Sequence, residues 1–279
     1  MCITNNNASI GYNLSHNQFS DWSPNKWNQY LNTRFNYNNY DNYTINNYQN
    51  VSNVSNINTY PSVNWASYTG LVLNQGACGS CFAEVSTQLV QSYYNIKKND
   101  DIELTIEQIV DCDRNDYGCE GGDPEQALQY VKTNGGLCNY KSYPFSNKSF
   151  IQGISKGNKC EKCNVIDGTA PLTIDTVSPA NSDEALIKAL QNGPVGIAIT
   201  ANSTSFQLYS NGIYDDPSCS IGPVNHAVFI VGFTDTYYII KNSWSQSWGE
   251  NGYMRIKRTP GDITSGLCNI LTYGYYITI

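Results

Sequence analysis

The strongest hydrophobic rhythm in the chain begins directly after Asn74-Gln75-Gly76-Ala77-Cys78-Gly79-Ser80-Cys81. Apolar residues recur at Phe82, Val85, Leu89 and Tyr93, with Ala83, Ser86 and Val90 beside them, the i, i+3, i+4, i+7 spacing of a helix with one buried face. A short extended run, Leu71-Val72-Leu73, precedes it. Three more helix starts follow. Thr105-Ile106-Glu107-Gln108 reads as a capping box ahead of Ile109-Val110-Asp111-Cys112, and Asp123-Pro124-Glu125-Gln126 as a second, with proline at the first helical position and a stop at Asn134-Gly135. Ser182-Asp183-Glu184-Ala185-Leu186 opens the third, which ends at Asn192-Gly193-Pro194. From Val195 onward β-branched and aromatic residues dominate, and strands are predicted at 195–200, 227–233, 237–241, 253–257 and 271–279. A helical first half therefore meets a β-rich second half, an α+β pattern of two lobes. Residues 1–58 are rich in Asn and Tyr with little periodicity, and 36–58 reads as disordered. Ser23-Pro24 marks one helix start inside that leader.

Composition narrows the function classes. At 279 residues the chain is long enough for two core-forming lobes. A net charge of −7 argues against nucleic acid and against an anionic membrane surface as partners. No apolar run reaches membrane-spanning length, and the polar start Cys2-Ile3-Thr4-Asn5-Asn6-Asn7 lacks the pattern of a secretory signal. Ten cysteines point to an oxidising compartment.

Cys81 falls at a predicted helix N-terminus, where unpaired backbone N–H groups and the macrodipole favour an anion. A thiol there ionises more readily, and the thiolate is the nucleophile. Two other chemistries compete for the same stretch. Cys78-Gly79-Ser80-Cys81 has redox Cys-x-x-Cys spacing, but no thioredoxin-like βαβ context follows. A zinc site completed by Cys160-Glu161-Lys162-Cys163 would join pairs 79 residues apart, wider than zinc pairs usually are. A nucleophilic thiol needs a distant base, and the chain has two histidines, His16 and His226. His226 heads the apolar run Ala227-Val228-Phe229-Ile230-Val231-Gly232, and Lys241-Asn242-Ser243-Trp244 follows further on.

Taken together, these segments resemble the papain-like cysteine proteases, the cathepsin family, in its cathepsin L-like branch. Cys-Gly-Ser-Cys opens a helix, His226 lies 145 residues after Cys81, and Asn242 lies 161 residues after it, against a family spacing of roughly 130–150. The resemblance runs from about Tyr60 to the C-terminus, and Tyr60-Pro61-Ser62-Val63-Asn64-Trp65 looks like the start of a mature enzyme. Upstream, Asn17-Gln18-Phe19-Ser20-Asp21 resembles the Asn-x-Phe-x-Asp segment of the family's inhibitory propeptide.

The resemblance implies a two-lobe fold: a leader at 1–59, a helical lobe at 60–170 carrying Cys81, and a β-barrel-like lobe at 171–279 carrying His226 and Asn242, with a cleft between the lobes. It implies that His226 takes the Cys81 proton, Asn242 orients the imidazole, Gln75 and the Cys81 N–H bind the oxyanion, and Trp244 shields the Asn–His contact. Gly121 and Gly122 would offer a backbone edge to substrate, and Asp123, Pro124, Ala198, Ala227 and Tyr273 would line the pocket for the second residue before the scissile bond. Family bridges map onto Cys78–Cys119 and Cys219–Cys268. Cys112 would pair with Cys160 or Cys163, Cys138 taking the other; Cys112–Cys160 with Cys138–Cys163 is preferred, and sequence alone leaves the connectivity open.

Several positions depart from the family pattern. Phe82 replaces the usual Trp, Glu84 an aromatic, Asn225 a frequent Asp beside the histidine, and Ser245 a usual Gly. The implied activity is endopeptidase cleavage through an acyl-enzyme. No histidine is spare for the occluding loop that the cathepsin B kind of exopeptidase uses. The alternative is a catalytically weak relative that only binds peptides. No metal and no cofactor is called for. The implied partners are protein or peptide substrates, the protein's own propeptide and cystatin-like inhibitors. The chain would be a monomer in a lysosome- or vacuole-like compartment, or secreted.

Overall fold

The structure is a computed structural model, and it describes residues 11–31, 60–145 and 159–279. The stretch 36–58, read above as disordered, and Cys2 lie outside the described residues.

The leader contributes strand β1 (Tyr12–Leu14) and helix α1 (Pro24–Tyr30), which Ser23 caps through its side chain. Helix α2 (Cys81–Lys98) is the predicted long helix. Its periodicity predicts one buried face, but Glu84, Thr87, Gln88 and Gln91 are buried as well. The reason is tertiary: α2 lies between helix α4 (Pro124–Asn134) and the sheet, so both flanks are covered. Asp123 caps α4, and Ser182 caps helix α5 (Asp183–Leu190). The capping box at Thr105 does not form. Helix α3 (Glu107–Cys112) starts later, behind Ile106, with no side-chain cap, and the Thr105 hydroxyl donates to the Tyr143 carbonyl. Leu71-Val72-Leu73 forms no strand; only the adjacent Asn74 makes an isolated bridge, to Trp244.

The remaining strands are β2 (Val63–Asn64), β3 (Thr173–Thr176), β4 (Val195–Ile199), β5 (Tyr209–Tyr214), β6 (His226–Phe233), β7 (Tyr237–Lys241), β8 (Tyr253–Lys257) and β9 (Tyr273–Thr278). A short helix α6 (Thr204–Gln207) precedes β5. The strands run in the order β1-β5-β8-β7-β6-β4-β9-β3, and β2 joins β6 off this path. The sheet is open, which corrects the expected barrel-like lobe. One edge is the leader strand, and the other, Thr-Ile-Asp-Thr of β3, is largely exposed and polar, as suits an unpaired edge.

Strand β6 carries the architecture because it is buried along its whole length. Ala227, Phe229 and Val231 enter a core shared with α2, α3 and α4. Val228 and Ile230 enter a second core with α5, the leader and the aromatic residues around Trp244. An irregularity in register between Ile230 and Gly232 shifts the alternation, so Phe233 falls in with Val228 and Ile230. Gly232 allows β2 to approach: a Cβ there would sit 2.2 Å from the Val63 carbonyl oxygen.

Disulfides join Cys78–Cys119, Cys112–Cys160, Cys138–Cys163 and Cys219–Cys268, and Cys81 stands outside them among the described residues. Four bridges suit an oxidising compartment. No helix among the described residues is long and apolar enough to cross a membrane.

The second core also holds a buried ion pair. Arg258 donates from Nε at 2.6 Å and from Nη2 at 2.8 Å to Asp183, whose carboxylate also accepts from the Tyr238 hydroxyl and the Gly261 N–H. This ties the first turn of α5 to β7 and to the loop after β8. Asp183→Ala would strand the Arg258 charge and should cost about 3–5 kcal/mol of stability. Urea unfolding of the full chain measures it.

Candidate active site

Cys81 is the first residue of α2, and Ser80, whose carbonyl accepts from the Glu84 N–H, precedes it. The loop ahead of Cys81 is fixed twice. The Cys78–Cys119 bridge and the Gly79 N–H to Cys119 carbonyl bond of 2.9 Å hold it against the 112–123 loop. On the other side, Gln75 N donates to the Ser243 carbonyl at 2.9 Å and Ser245 N to the Leu73 carbonyl at 2.9 Å. The segment leading into Cys81 is thus stitched to the segment that follows Asn242.

His226 opens β6, and Asn242 directly follows β7, the antiparallel neighbour of β6. Their side chains meet at 2.9 Å between His226 Nε2 and Asn242 Oδ1. The same Oδ1 accepts from Ser243 N at 2.8 Å, which settles the orientation of the amide. An amide oxygen only accepts, so Nε2 carries the proton and Nδ1 is the bare base of a neutral imidazole. His226 Nδ1 is buried and makes no hydrogen bond. Trp244 stacks on the ring at 4.6 Å between centroids and 19° between planes. Burial draws the His226 pKa down to about 4, against the opposing pull of the Asn242 hydrogen bond. The Gln75 side chain is fully enclosed: Nε2 donates to the Cys78 carbonyl at 2.9 Å, and Oε1 accepts from the Ser243 hydroxyl at 2.6 Å.

Residues 60–278 match the papain family cysteine protease domain. The chain belongs to the papain family. It is 37% identical to chymopapain of Carica papaya over 78% of this chain and 60% of that protein. It is 35% identical to the senescence-specific cysteine protease of Arabidopsis thaliana over 78% and 62%. The chain thus spans about three fifths of the length of these two curated relatives. Among solved structures it resembles digestive procathepsin L 3 from the larval midgut of Tenebrio molitor, with a TM-score of 0.78 and 28% identity over 97% of this chain and 84% of that one. It also resembles a Carica candamarcensis cysteine protease in complex with E-64, with a TM-score of 0.69 and 33% identity over 79% and 99%.

Ala227, Ala198 and Tyr273 form one rung across β6, β4 and β9. Gly122 has no room for a side chain: a Cβ would lie 2.6 Å from the Phe82 ring and 2.7 Å from the Asp116 carboxyl carbon. Asp123 Oδ1 accepts from Glu125 N at 2.8 Å, and Pro124 is the first residue of α4. Asn225 turns inward, accepting from Ala201 N at 2.9 Å. Sequence reasoning missed Ser243 and the buried Lys241, whose ammonium donates to the carbonyls of Thr69 at 2.7 Å and Gly70 at 2.9 Å. Both lie inside the Lys-Asn-Ser-Trp run, but a one-dimensional pattern does not reveal which loop they reach.

The leader is seated on the far side of Trp244. Gln18 Nε2 donates to the Trp244 carbonyl at 2.9 Å and Gln207 Nε2 to the Phe19 carbonyl at 2.7 Å. The rings of Trp27 and Phe19 lie 4.9 and 5.5 Å from that of Trp244. Trp244 is therefore held between the leader and His226.

With the leader seated, His226 should stay neutral until the pH approaches 4. An unfolded histidine protonates near about 6.5, so between these values the unfolded state binds more protons. The stability contributed by neutral His226 is complete above about 6.5 and lost as pH falls toward about 4. An NMR titration of the imidazole should show a depressed midpoint in the full chain and one nearer the ordinary range once the leader is cut away.

Proposed function

We propose that the chain is a cysteine endopeptidase, held latent by its leader, in which Cys81 is the nucleophile and His226 its base. The reading rests above all on the His226–Asn242 hydrogen bond, which places the proton on Nε2 and leaves Nδ1 as a bare acceptor. Cys81 gives its proton to Nδ1, and the thiolate gains from the helix N-terminus and from the imidazolium. Attack on a peptide carbonyl breaks its π bond. The oxyanion lies beside the Cys81 backbone N–H and the second amide hydrogen of Gln75. Collapse expels the amine, which takes the proton from His226 and leaves a thioester. Water, deprotonated by His226, hydrolyses it and restores the thiol. The helical lobe would span 60–170 and the β-rich lobe 171–279, with substrate along Gly121 and Gly122.

Cys81→Ala should abolish peptide hydrolysis, and His226→Ala should lower kcat by about 10²–10⁴. Asn242→Ala should cost less, because it orients and does not react. The assay is hydrolysis of a fluorogenic peptide at acid pH with thiol, and labelling by a peptidyl epoxide counts active sites. A wild-type chain that takes no epoxide before or after removal of the leader would make it a peptide-binding relative instead.

For specificity, the Ala198–Ala227–Tyr273 rung supports a shallow apolar pocket. Asp123 spends Oδ1 on capping α4, so it is not set to attract a cation. The expected order at the second residue before the scissile bond is Val or Leu over Phe, and either over Arg. A dipeptide series varied at that position measures it, and an Arg preference would show that Asp123 faces the substrate.

A further inference from the structure

The reaction steps above use Asn242 but not the residue before it. Lys241 ends β7 and is 1% exposed. Its side-chain nitrogen faces three oxygens: the Thr69 carbonyl at 2.7 Å, the Gly70 carbonyl at 2.9 Å and the Thr69 hydroxyl at 3.2 Å. That hydroxyl gives its own proton to the Ala66 carbonyl at 2.9 Å, so toward Lys241 it can only accept. Three acceptors call for three N–H groups. A neutral amine has two and an ammonium has three, so the surroundings fit the charged lysine.

Among the described residues no acid pairs with Lys241 directly. Its counter-charge reaches it through a peptide group. The Gly70 carbonyl and the Leu71 N–H belong to one peptide unit. The carbonyl accepts from Lys241, and the N–H donates to Glu103 Oε1 at 3.2 Å. The peptide dipole therefore lies between the two charges with its negative end on the ammonium and its positive end on the carboxylate, and each bond polarises the other. Gly70 is what makes this approach possible. It stands at φ +67°, and a Cβ there would sit 2.0 Å from Gln91 Nε2 and 2.8 Å from Glu103 Oε1. Gln91 on α2 steadies the acid, donating to Oε2 at 3.3 Å while accepting from Leu104 N at 2.9 Å. The two charges come from opposite sides of the molecule: Lys241 from the central sheet, Glu103 from the segment between α2 and α3.

We propose that Lys241 is a positioning residue: its ammonium, balanced by Glu103 through the Gly70–Leu71 peptide, fixes the end of β7 and with it the Asn242 amide that holds His226. This rests on the assignment of Cys81, His226 and Asn242 made above. Little freedom separates the two residues. Asn242 directly follows Lys241, its N–H donates to the Gly252 carbonyl at 3.0 Å, and its Oδ1 accepts from Ser243 N at 2.8 Å and meets His226 Nε2 at 2.9 Å. The acids that bear on the ammonium are Glu103 and, from α2, Glu84; Tyr253 of β8 is its cross-strand partner. Burial opposes the charge and draws the Lys241 pKa down to about 7, against the pull of both acids. The clamp is complete below that value. As pH rises through it the ammonium loses a proton, one oxygen loses its donor, and Glu103 loses its counter-charge.

The test compares Lys241→Met, Glu103→Gln, Asn242→Ala and the Lys241→Met/Asn242→Ala double variant, each made as the full chain and assayed after its leader is removed. Activity is followed as kcat and KM across pH, with epoxide labelling to count active sites. At acid pH, K241M should lose kcat about threefold or more with KM little changed, because the imidazole is misplaced and the substrate cleft is not. It should also lack the fall in kcat that the wild type shows as pH rises through about 7. The double variant should be within about twofold of N242A, since a residue that acts through Asn242 has nothing left to position. E103Q keeps an oxygen for the Leu71 N–H, at the loss of the 3.3 Å contact from Gln91. It should hold the wild-type kcat at acid pH and move the alkaline limb down by about half a pH unit or more, because an attracting charge is gone. Wild-type kcat in K241M overturns the proposal, and so does a double variant slower than N242A by the full factor of K241M. If K241M does not fold, E103Q decides: a pH profile that coincides with the wild type overturns the proposal. A wild-type enzyme that neither hydrolyses peptide nor takes epoxide overturns the Cys81 assignment, whereas an active wild type with unaltered variants overturns the clamp alone.

Discussion

The short antiparallel contact between residues 73–75 and 243–245 is the constraint on which the site depends. Cys81 and Asn242 are 161 residues apart in the chain, and bringing their segments together carries a loop-closure cost that grows slowly with length. Three features meet that cost within a few residues: the Gln75–Ser243 and Ser245–Leu73 backbone bonds and the Ser243–Gln75 side-chain bond. Because Gln75 and Ser243 are buried, the two bonds between them are shielded from water. The Cys78–Cys119 bridge then anchors the same loop to the helical side. The loop before Cys81 is thus held from both sides, while Cys81 itself belongs to a helix packed against α4 and β6.

An unusual number of polar and charged side chains are buried around this contact, among them Lys241, Glu84, Asn242 and Ser243. Burying a charge is costly unless its protons are placed. Lys241 meets this with two carbonyls and a hydroxyl, in a place where the chain turns before the Leu71-Val72-Leu73 run. Burial still draws its pKa down to about 7, with Glu103 and Glu84 pulling the other way. The interior near the site is therefore a polar network rather than an apolar core, and substitutions there should change geometry before they change volume.

Strands β7 and β8 could be read from sequence with their boundaries because both alternate and both are central, where buried β-branched and aromatic residues are required. The strands that escaped are the marginal ones. Thr-Ile-Asp-Thr of β3 and Tyr-Ser-Asn-Gly-Ile-Tyr of β5 carry the polar residues and the glycine that an edge or a two-residue pairing tolerates. The capping box at Thr105 does not form: the helix begins one residue later than the pattern predicts, behind Ile106, and the Thr105 hydroxyl is engaged with a carbonyl 38 residues on. In the site, motif order pointed to Cys81, His226, Asn242 and Gln75. Ser243 and Lys241 had no such signal, since their partners, Gln75 and the Thr69 and Gly70 carbonyls, are met only after the chain has folded.

The leader strand β1 has a consequence for the sheet as a whole. It is not only a plug beside Trp244; it is the outermost strand, hydrogen-bonded along β5 from Tyr12 opposite Gly212 to Leu14 opposite Tyr209. A form without its leader presents the backbone of β5 to solvent as a fresh edge, the kind of surface that recruits another chain's strand. Ser210, Asn211 and Gly212 make that edge polar and bent, with Gly212 at φ +95°. The same residues that make β5 a weak strand therefore protect the shortened molecule from stacking edge to edge with its own copies.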